Sequence, residues 1–284
     1  MLRTRPRTAG SLAPLAAKVP EITVLFWILK VLTTGMGEAI SDYLGEVNIA
    51  LAAAVGVFGL ALALRLQLRT RAYRAVVYWF TVLMVAVFGT MVADGIRDGL
   101  HAPYAVTTAL YAVVVAIVFV VWYRSEGTLS IHSIITRRRE AFYWIAVLGT
   151  FALGTAAGDF TASQLQLGYI GSIVLYAAVI AVPAIAWWRF ELDPILAFWA
   201  AYIVTRPLGA SFADWIGKPA KAHTWKGGLA FGDGAVSAVA LVAFVVLVAY
   251  VAIVRRDIQG PPDDASHPHH PRPHGEPLVE GAVS

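Results

Sequence analysis

The chain has 284 residues, of which 58% are hydrophobic and 14% charged, with a formal net charge of +4. Soluble domains carry about 45–50% apolar and about 25% charged residues, so this composition excludes an ordinary soluble globule and points into a bilayer. The surplus of basic residues sits in short loops, where it reports orientation rather than nucleic-acid binding, and the absence of cysteine excludes disulfides and thiolate metal ligands.

In chain order, residues 1–20 form a basic N-terminal segment (Arg3, Arg5, Arg7, Lys18), expected to be loose. Eight apolar stretches follow, at 22–42, 47–66, 76–96, 104–123, 141–160, 168–188, 194–215 and 234–254, each near the roughly 20 residues a helix needs to cross hydrocarbon. The first carries Lys30 and Glu38 and shows no small-residue cleavage site, so it reads as a retained helix rather than a signal peptide. The fold class is therefore all-α: a polytopic membrane bundle over 21–256, built as repeats at about 21–70, 74–124, 139–189 and 194–256. Residues 257–284, with His267, His269, His270 and His274 among prolines, cannot bury a core. They read as a disordered tail, either plainly solvated or weakly metal-binding. Sixteen Arg and Lys fall in the tails and even-to-odd connections, against Arg97, Lys218, Lys221 and Lys226 on the other side. The positive-inside bias thus puts both termini in the cytoplasm.

The odd spans share one word: an aromatic residue, Trp, nine residues, Gly, four residues, Asp. Its copies are Phe26-Trp27…Gly37…Asp42, Tyr78-Trp79…Gly89…Asp94, Tyr143-Trp144…Gly154…Asp159 and Phe198-Trp199…Gly209…Asp214. A fixed period of this kind marks duplicated modules. Each Trp reads as an aromatic-belt anchor near the cytoplasmic interface. Each Gly, with Ser41, Ala93, Gly158 or Ala213 four positions on, reads as a packing ridge that lets helices approach closely. The Asp residues either cap a following turn or form a carboxylate ring at an outer mouth, attracting cations or holding protons.

Four tandem two-helix units, each with a Trp, resemble a family of bacterial membrane proteins defined by a repeat of unknown function and labelled uncharacterised membrane-anchored proteins. The resemblance spans roughly 20–256, and its most characteristic stretch runs from Lys18-Val19-Pro20-Glu21 through Phe26-Trp27, Lys30, Thr33-Thr34 and Gly37-Glu38 to Asp42. It implies architecture and host lineage and no activity.

Polarity within the membrane is concentrated in the odd spans, which predicts that spans 1, 3, 5 and 7 form an inner ring with the even spans outside against lipid. With two crossings per unit, the repeats run parallel about an axis along the membrane normal. Stepping inward from Asp by fours gives Glu38, Thr90, Thr155 and Ala210; then Thr34, Ala86, Phe151 and Arg206; then Lys30, Val82, Val147 and Tyr202. Arg206 and Lys30 are expected to neutralise Glu38, Asp42 and Asp214, because an unpaired intramembrane charge is costly. Pro207 predicts a bend in span 7.

The pathway residues on this reading are Lys30, Thr34, Glu38, Asp42, Thr90, Asp94, Thr155, Asp159, Arg206 and Asp214. Glu38, Asp42, Asp94, Asp159 and Asp214 are the candidate metal ligands, helped by neutral oxygens of Thr33, Thr34, Thr90, Thr155 and Thr205, an oxygen set suited to a hard divalent ion. The leading expectation is a transporter or channel for a small solute, best a cation, along the odd-helix axis. Open beside it stand an anion transporter using Lys30 and Arg206, and a non-transporting accessory or sensor protein with a structural polar core. No Gly-x-Ser-x-Gly elbow, no His-Glu-x-x-His pair and no His within a span is present, so enzymatic activity is not expected. Partners are the bilayer and a small ion, with no nucleic acid, no cofactor beyond a bound metal ion, and no signal for an oligomeric state.

Overall fold

A computed structural model describes residues 17–219, 228–255 and 257–258. The expectations that fall on Arg3, Arg5, Arg7, Lys221, Lys226 and the His-rich tail lie outside the described residues. The chain forms α1 (Val24–Val47), α2 (Ile49–Arg69), α3 (Ala75–Leu100), α4 (Tyr104–Glu126), α5 (Arg137–Asp159), α6 (Gly168–Phe190), α7 (Pro194–Gly217) and α8 (Asp233–Val254). All eight are long and apolar enough to cross a membrane. Among the described residues the only strand-like pairing is a single bridge, Pro219 to Leu229.

Local chemistry sets the boundaries. Thr23 caps α1, accepting from the Phe26 amide at 3.3 Å, and Asn48 alone separates α1 from α2, accepting from the Ala50 and Leu51 amides at 2.9 and 3.0 Å. Asp193 caps α7 ahead of Pro194, which occupies the first helical position where its missing N–H costs nothing. Gly127 closes α4 in the left-handed region. One end of the bundle gathers the described termini and the even-to-odd connections and is called the terminal end below; the other, where the repeated Asp residues fall, is the acidic end.

The odd helices close a ring in the order α1, α3, α5, α7 and back to α1. Each even helix packs on the next repeat's odd helix: α2 on α3, α4 on α5, α6 on α7, and α8 on α1, completing the circle. Between 56% and 67% of the odd spans is buried, against 17–22% of the even ones, so the inner and outer layers expected from polarity are present. The repeated glycines make the ring possible. A Cβ on Gly37 would collide with Ala86, on Gly89 with Phe151, on Gly154 with Arg206, and on Gly209 with Thr34. In every case the obstacle is the residue three before the next repeat's glycine, so one contact recurs four times around the circle. The glycine faces the small Ala86 in the first contact and the larger Phe151, Arg206 and Thr34 in the other three.

Two expectations need correction. Residues 17–20 are docked rather than loose: Val19 is buried, the Lys18 amide donates to the Ile134 carbonyl at 3.1 Å, and the Lys18 ammonium meets buried Glu140 at 2.5 Å. Glu140 also accepts from Gln67 at 3.0 Å, so a carboxylate closed off from water is compensated. Three of the four repeated Trp residues are not belt anchors. Trp79, Trp144 and Trp199 are buried in one aromatic cluster with Phe26, Tyr78, Tyr143, Phe198 and Tyr202, filling the terminal half of the ring; Trp27 is half-buried against Phe26 and Phe198, and among the described residues Trp187 and Trp188 of α6 are exposed. Large aromatic rings fill the space enclosed between the four odd helices at this end. Pro207, where the bend is expected, lies inside α7, which is helical on both sides of it.

Candidate functional site: an acidic vestibule above two axial cations

At mid-depth the tier Glu38, Thr90, Thr155 and Ala210 lies on α1, α3, α5 and α7. Ala210 leaves the fourth position empty, and Arg206, one turn lower on α7, rises into it. Its Nη2 donates to Glu38 Oε2 at 2.5 Å and Thr155 Oγ1 at 2.7 Å, and also meets Thr90 Oγ1, while Nη1 donates to the Thr34 carbonyl at 2.9 Å. Thr90 donates to the same Glu38 oxygen at 3.1 Å. Reaching from α7 to α3, the guanidinium crosses the ring's axis. The pairing of Arg206 with Glu38 expected from the sequence is present, with all three side chains of that tier converging on it.

Lys30 differs from expectation. It meets no carboxylate; its buried ammonium makes no hydrogen bond among the described residues and lies 3.8 Å from the ring centres of both Phe151 and Tyr202. Such cation–π contacts substitute for a counter-ion in part. Since α1 and α5 face each other across the ring, Lys30 also sits on the axis. Thr33, Thr34 and Thr205 donate their hydroxyl protons back to the Leu29, Val31 and Tyr202 carbonyls at 2.8, 2.6 and 2.6 Å, which leaves the lone pairs of each oxygen uncommitted by that bond.

Above this knot a cavity of about 750 Å³ opens at the acidic end, with Glu38, Asp42, Asp94, Asp159, Arg97 and Lys218 in its wall. The four repeated Asp do not form an uninterrupted ring. Lys218 Nζ lies 2.8 Å from both Asp42 and Asp214, and Arg97 bridges Asp159 at 2.9 Å and Asp94 at 3.9 Å, also holding Asp98 at 2.9 Å. Each half of the ring has its own tethered cation. None of the four carboxylates caps the following transmembrane helix: α2, α4, α6 and α8 start from Asn48, Pro103, Leu167 and Gly232. Burial by itself would lower the Lys218 ammonium, but Asp214, Asp42 and Glu38 outweigh it and hold the group well above its ordinary value.

Glu38, Asp42 and Asp214 each bring one oxygen to within 4.8 Å of the others. Oxygens bound to one ion at about 2.1–2.6 Å lie no more than roughly 5 Å apart, so this spacing fits a hard divalent ion. Between two of the three stands the Lys218 ammonium, itself a cation. Asp94 and Asp159 face the same cavity from the Arg97 side, whereas Lys30, Thr34, Thr90, Thr155 and Arg206 lie outside its wall. Arg97 and Lys218 were not in the sequence-derived set, although each stands one helical turn after a repeated Asp, at i+3 from Asp94 and i+4 from Asp214, a spacing at which opposite charges pair. Phe151 and Tyr202 carried no signal beyond their place on the ridge.

Eight membrane-spanning helices, polar within and apolar without, define a polytopic integral membrane protein made of four two-helix units. The chain belongs to the family defined by the Repeat of Unknown Function (DUF347), whose model matches residues 25–73, 77–128, 142–193 and 197–257. No curated protein and no solved structure matches it.

Proposed function

We propose that the protein is a transporter for a small cation, best a hard divalent one, working by alternating access. The observation that carries this reading is the vestibule. Seven carboxylates, of Glu38, Asp42, Glu46, Asp94, Asp98, Asp159 and Asp214, gather in or beside one cavity against the three cationic groups of Arg97, Lys218 and Arg206. Charge of one sign lining a cleft raises the local concentration of the opposite ion. Below Glu38 the axis is filled by Arg206, Lys30 and the aromatic cluster, which favours a gated carrier over an open channel. An anion would have to pass the acidic mouth before it met Lys30, so the anion reading is weaker. With the positive-inside bias of the connections, the vestibule faces outward from a bacterial inner membrane and both termini lie in the cytoplasm.

The test is Mn²⁺ flux in proteoliposomes, with Glu38→Gln and Asp42→Asn as site variants. Flux should fall in both. Unchanged flux in both would remove the site assignment, and loss of folded protein without any wild-type flux would favour the accessory role.

A further inference from the structure

We propose that Lys30 is a proton-binding site on the axis, exchanging its proton toward the terminal end through the phenols of Tyr202, Tyr143 and Tyr78. This rests on the transport reading in one respect, since it makes the proton the coupling ion of that cation movement.

Two cations share one ring. Phe151 carries Lys30 Nζ at 3.8 Å and Arg206 Cζ at 5.4 Å from its centre, yet Glu38, the carboxylate two turns along the same helix from Lys30, is committed to Arg206. One of two neighbouring buried cations without a second anion is the natural place for a proton to leave. Arginine stays protonated in proteins, whereas lysine releases its proton readily when buried. Lys30 is therefore the exchangeable member.

The route follows from what stands on either side. Toward the vestibule is the guanidinium of Arg206, which has no acceptor for a proton. Toward the terminal end are phenols, which both donate and accept. The Tyr78 and Tyr143 hydroxyls lie 2.5 Å apart, and that of Tyr202 lies beside Tyr143 though outside hydrogen-bonding geometry. Tyr73 packs its ring on Tyr78 at 5.6 Å and donates its hydroxyl to Asp257 at the terminal end. The facing ionisable groups are thus Arg206 and Tyr202 from α7, Tyr143 from α5, Tyr78 from α3 and Glu38 from α1 itself. The other helices on α1 carry theirs toward the helix ends, Arg65 and Arg69 on α2, Asp233 and Tyr250 on α8.

In the transfer, rotation of the flexible lysine stem brings Nζ from the ring face to the Tyr202 oxygen. One N–H bond breaks and one O–H bond forms there, as the proton of Tyr202 passes to Tyr143 and that of Tyr143 to Tyr78, whose own proton leaves toward Tyr73 and Asp257. The amine keeps the electron pair. Nothing is oxidised or reduced.

The test uses the full chain. In nanodiscs, tryptophan fluorescence is titrated against pH, with Trp199 as the reporter because it packs on Tyr202 at 5.4 Å. Wild type should show a transition absent from Lys30→Met, which lacks the amine, and from Lys30→Arg, which keeps the charge if the neutral variant folds poorly. In liposomes with an internal pH dye, Mn²⁺ should drive proton flux in wild type, slowed at least tenfold in Tyr143→Phe. If Lys30→Met and Lys30→Arg titrate like wild type, the proton site is wrong. A transition lost in both, with no Mn²⁺ flux even in wild type, upholds the proton site and sinks the transport reading. Mn²⁺ flux without proton flux in wild type sinks the coupling and leaves transport standing.

Discussion

Glu38→Gln is the sharpest test of the polar core, because it changes charge while keeping shape and an acceptor oxygen. Arg206 is 1% exposed and spends its Nη2 donors on Glu38, Thr90 and Thr155 and its Nη1 on the Thr34 carbonyl. Without the carboxylate only neutral oxygens remain around a cation sealed from water. Removing one partner of a buried ion pair costs about 3–5 kcal/mol, most of it the penalty for the charge left behind. The double variant Glu38→Gln/Arg206→Gln leaves no stranded charge and should be more stable than Glu38→Gln alone, a coupling that a double-mutant cycle isolates. Equilibrium unfolding in mixed detergent micelles, followed by tryptophan fluorescence, measures all three proteins. A Glu38→Gln cost below about 1 kcal/mol, or a double variant worse than the sum of the singles, would refute the view that this pair is closed off from solvent.

Gly209→Ala should destabilise by about 1–3 kcal/mol through overpacking, since its Cβ would strike Thr34 and come within 3.0 Å of the Gly35 amide, whereas Gly95→Ala meets nothing within 4 Å. The second substitution should be neutral or stabilising by about 0.5–1 kcal/mol in the same unfolding assay. Lys218→Met removes the cation lodged between Asp42 and Asp214 and should tighten Mn²⁺ binding, read by calorimetry, at least about tenfold, the equivalent of about 1.4 kcal/mol; unchanged affinity would show that the triad does not hold the ion. Burial raises the Asp257 carboxyl above its ordinary value of 3.8, more than the hydrogen bond from Tyr73 lowers it. A raised carboxyl stabilises the fold fully below 3.8, and that contribution fades as pH climbs through the raised value, so Asp257→Asn should flatten this part of the stability–pH profile.

Much of the candidate site was legible because helical spacing brings equivalent residues to equivalent heights. Stepping by fours from each Asp found Glu38, Thr90 and Thr155 on one tier, and the tier exists. What that stepping cannot reveal is how far a side chain reaches. Arg206 belongs by sequence to the tier below and enters this one only because Ala210 vacates it; Lys30, two turns from Glu38, ends among rings contributed by α5 and α7. The Asp ring was read without its counter-charges for a related reason: Arg97 and Lys218 lie just past the apolar stretches at 76–96 and 194–215 and read as loop residues, whereas Arg97 belongs to the last turn of α3 and Lys218 caps α7.

Hydropathy, a fixed repeat period and intramembrane charge were enough to determine eight spans, four parallel units and an inner ring of odd helices, because a bilayer penalises polar lipid-facing surface at every residue and leaves few alternatives. Pairing was decided only in three dimensions. Which cation answers which carboxylate, which tryptophans fill the core, and which lysine is left with aromatic faces alone depend largely on contacts between helices far apart in sequence, such as Arg97 with Asp159, Arg206 with Glu38 and Lys30 with Phe151, which the repeat period does not encode.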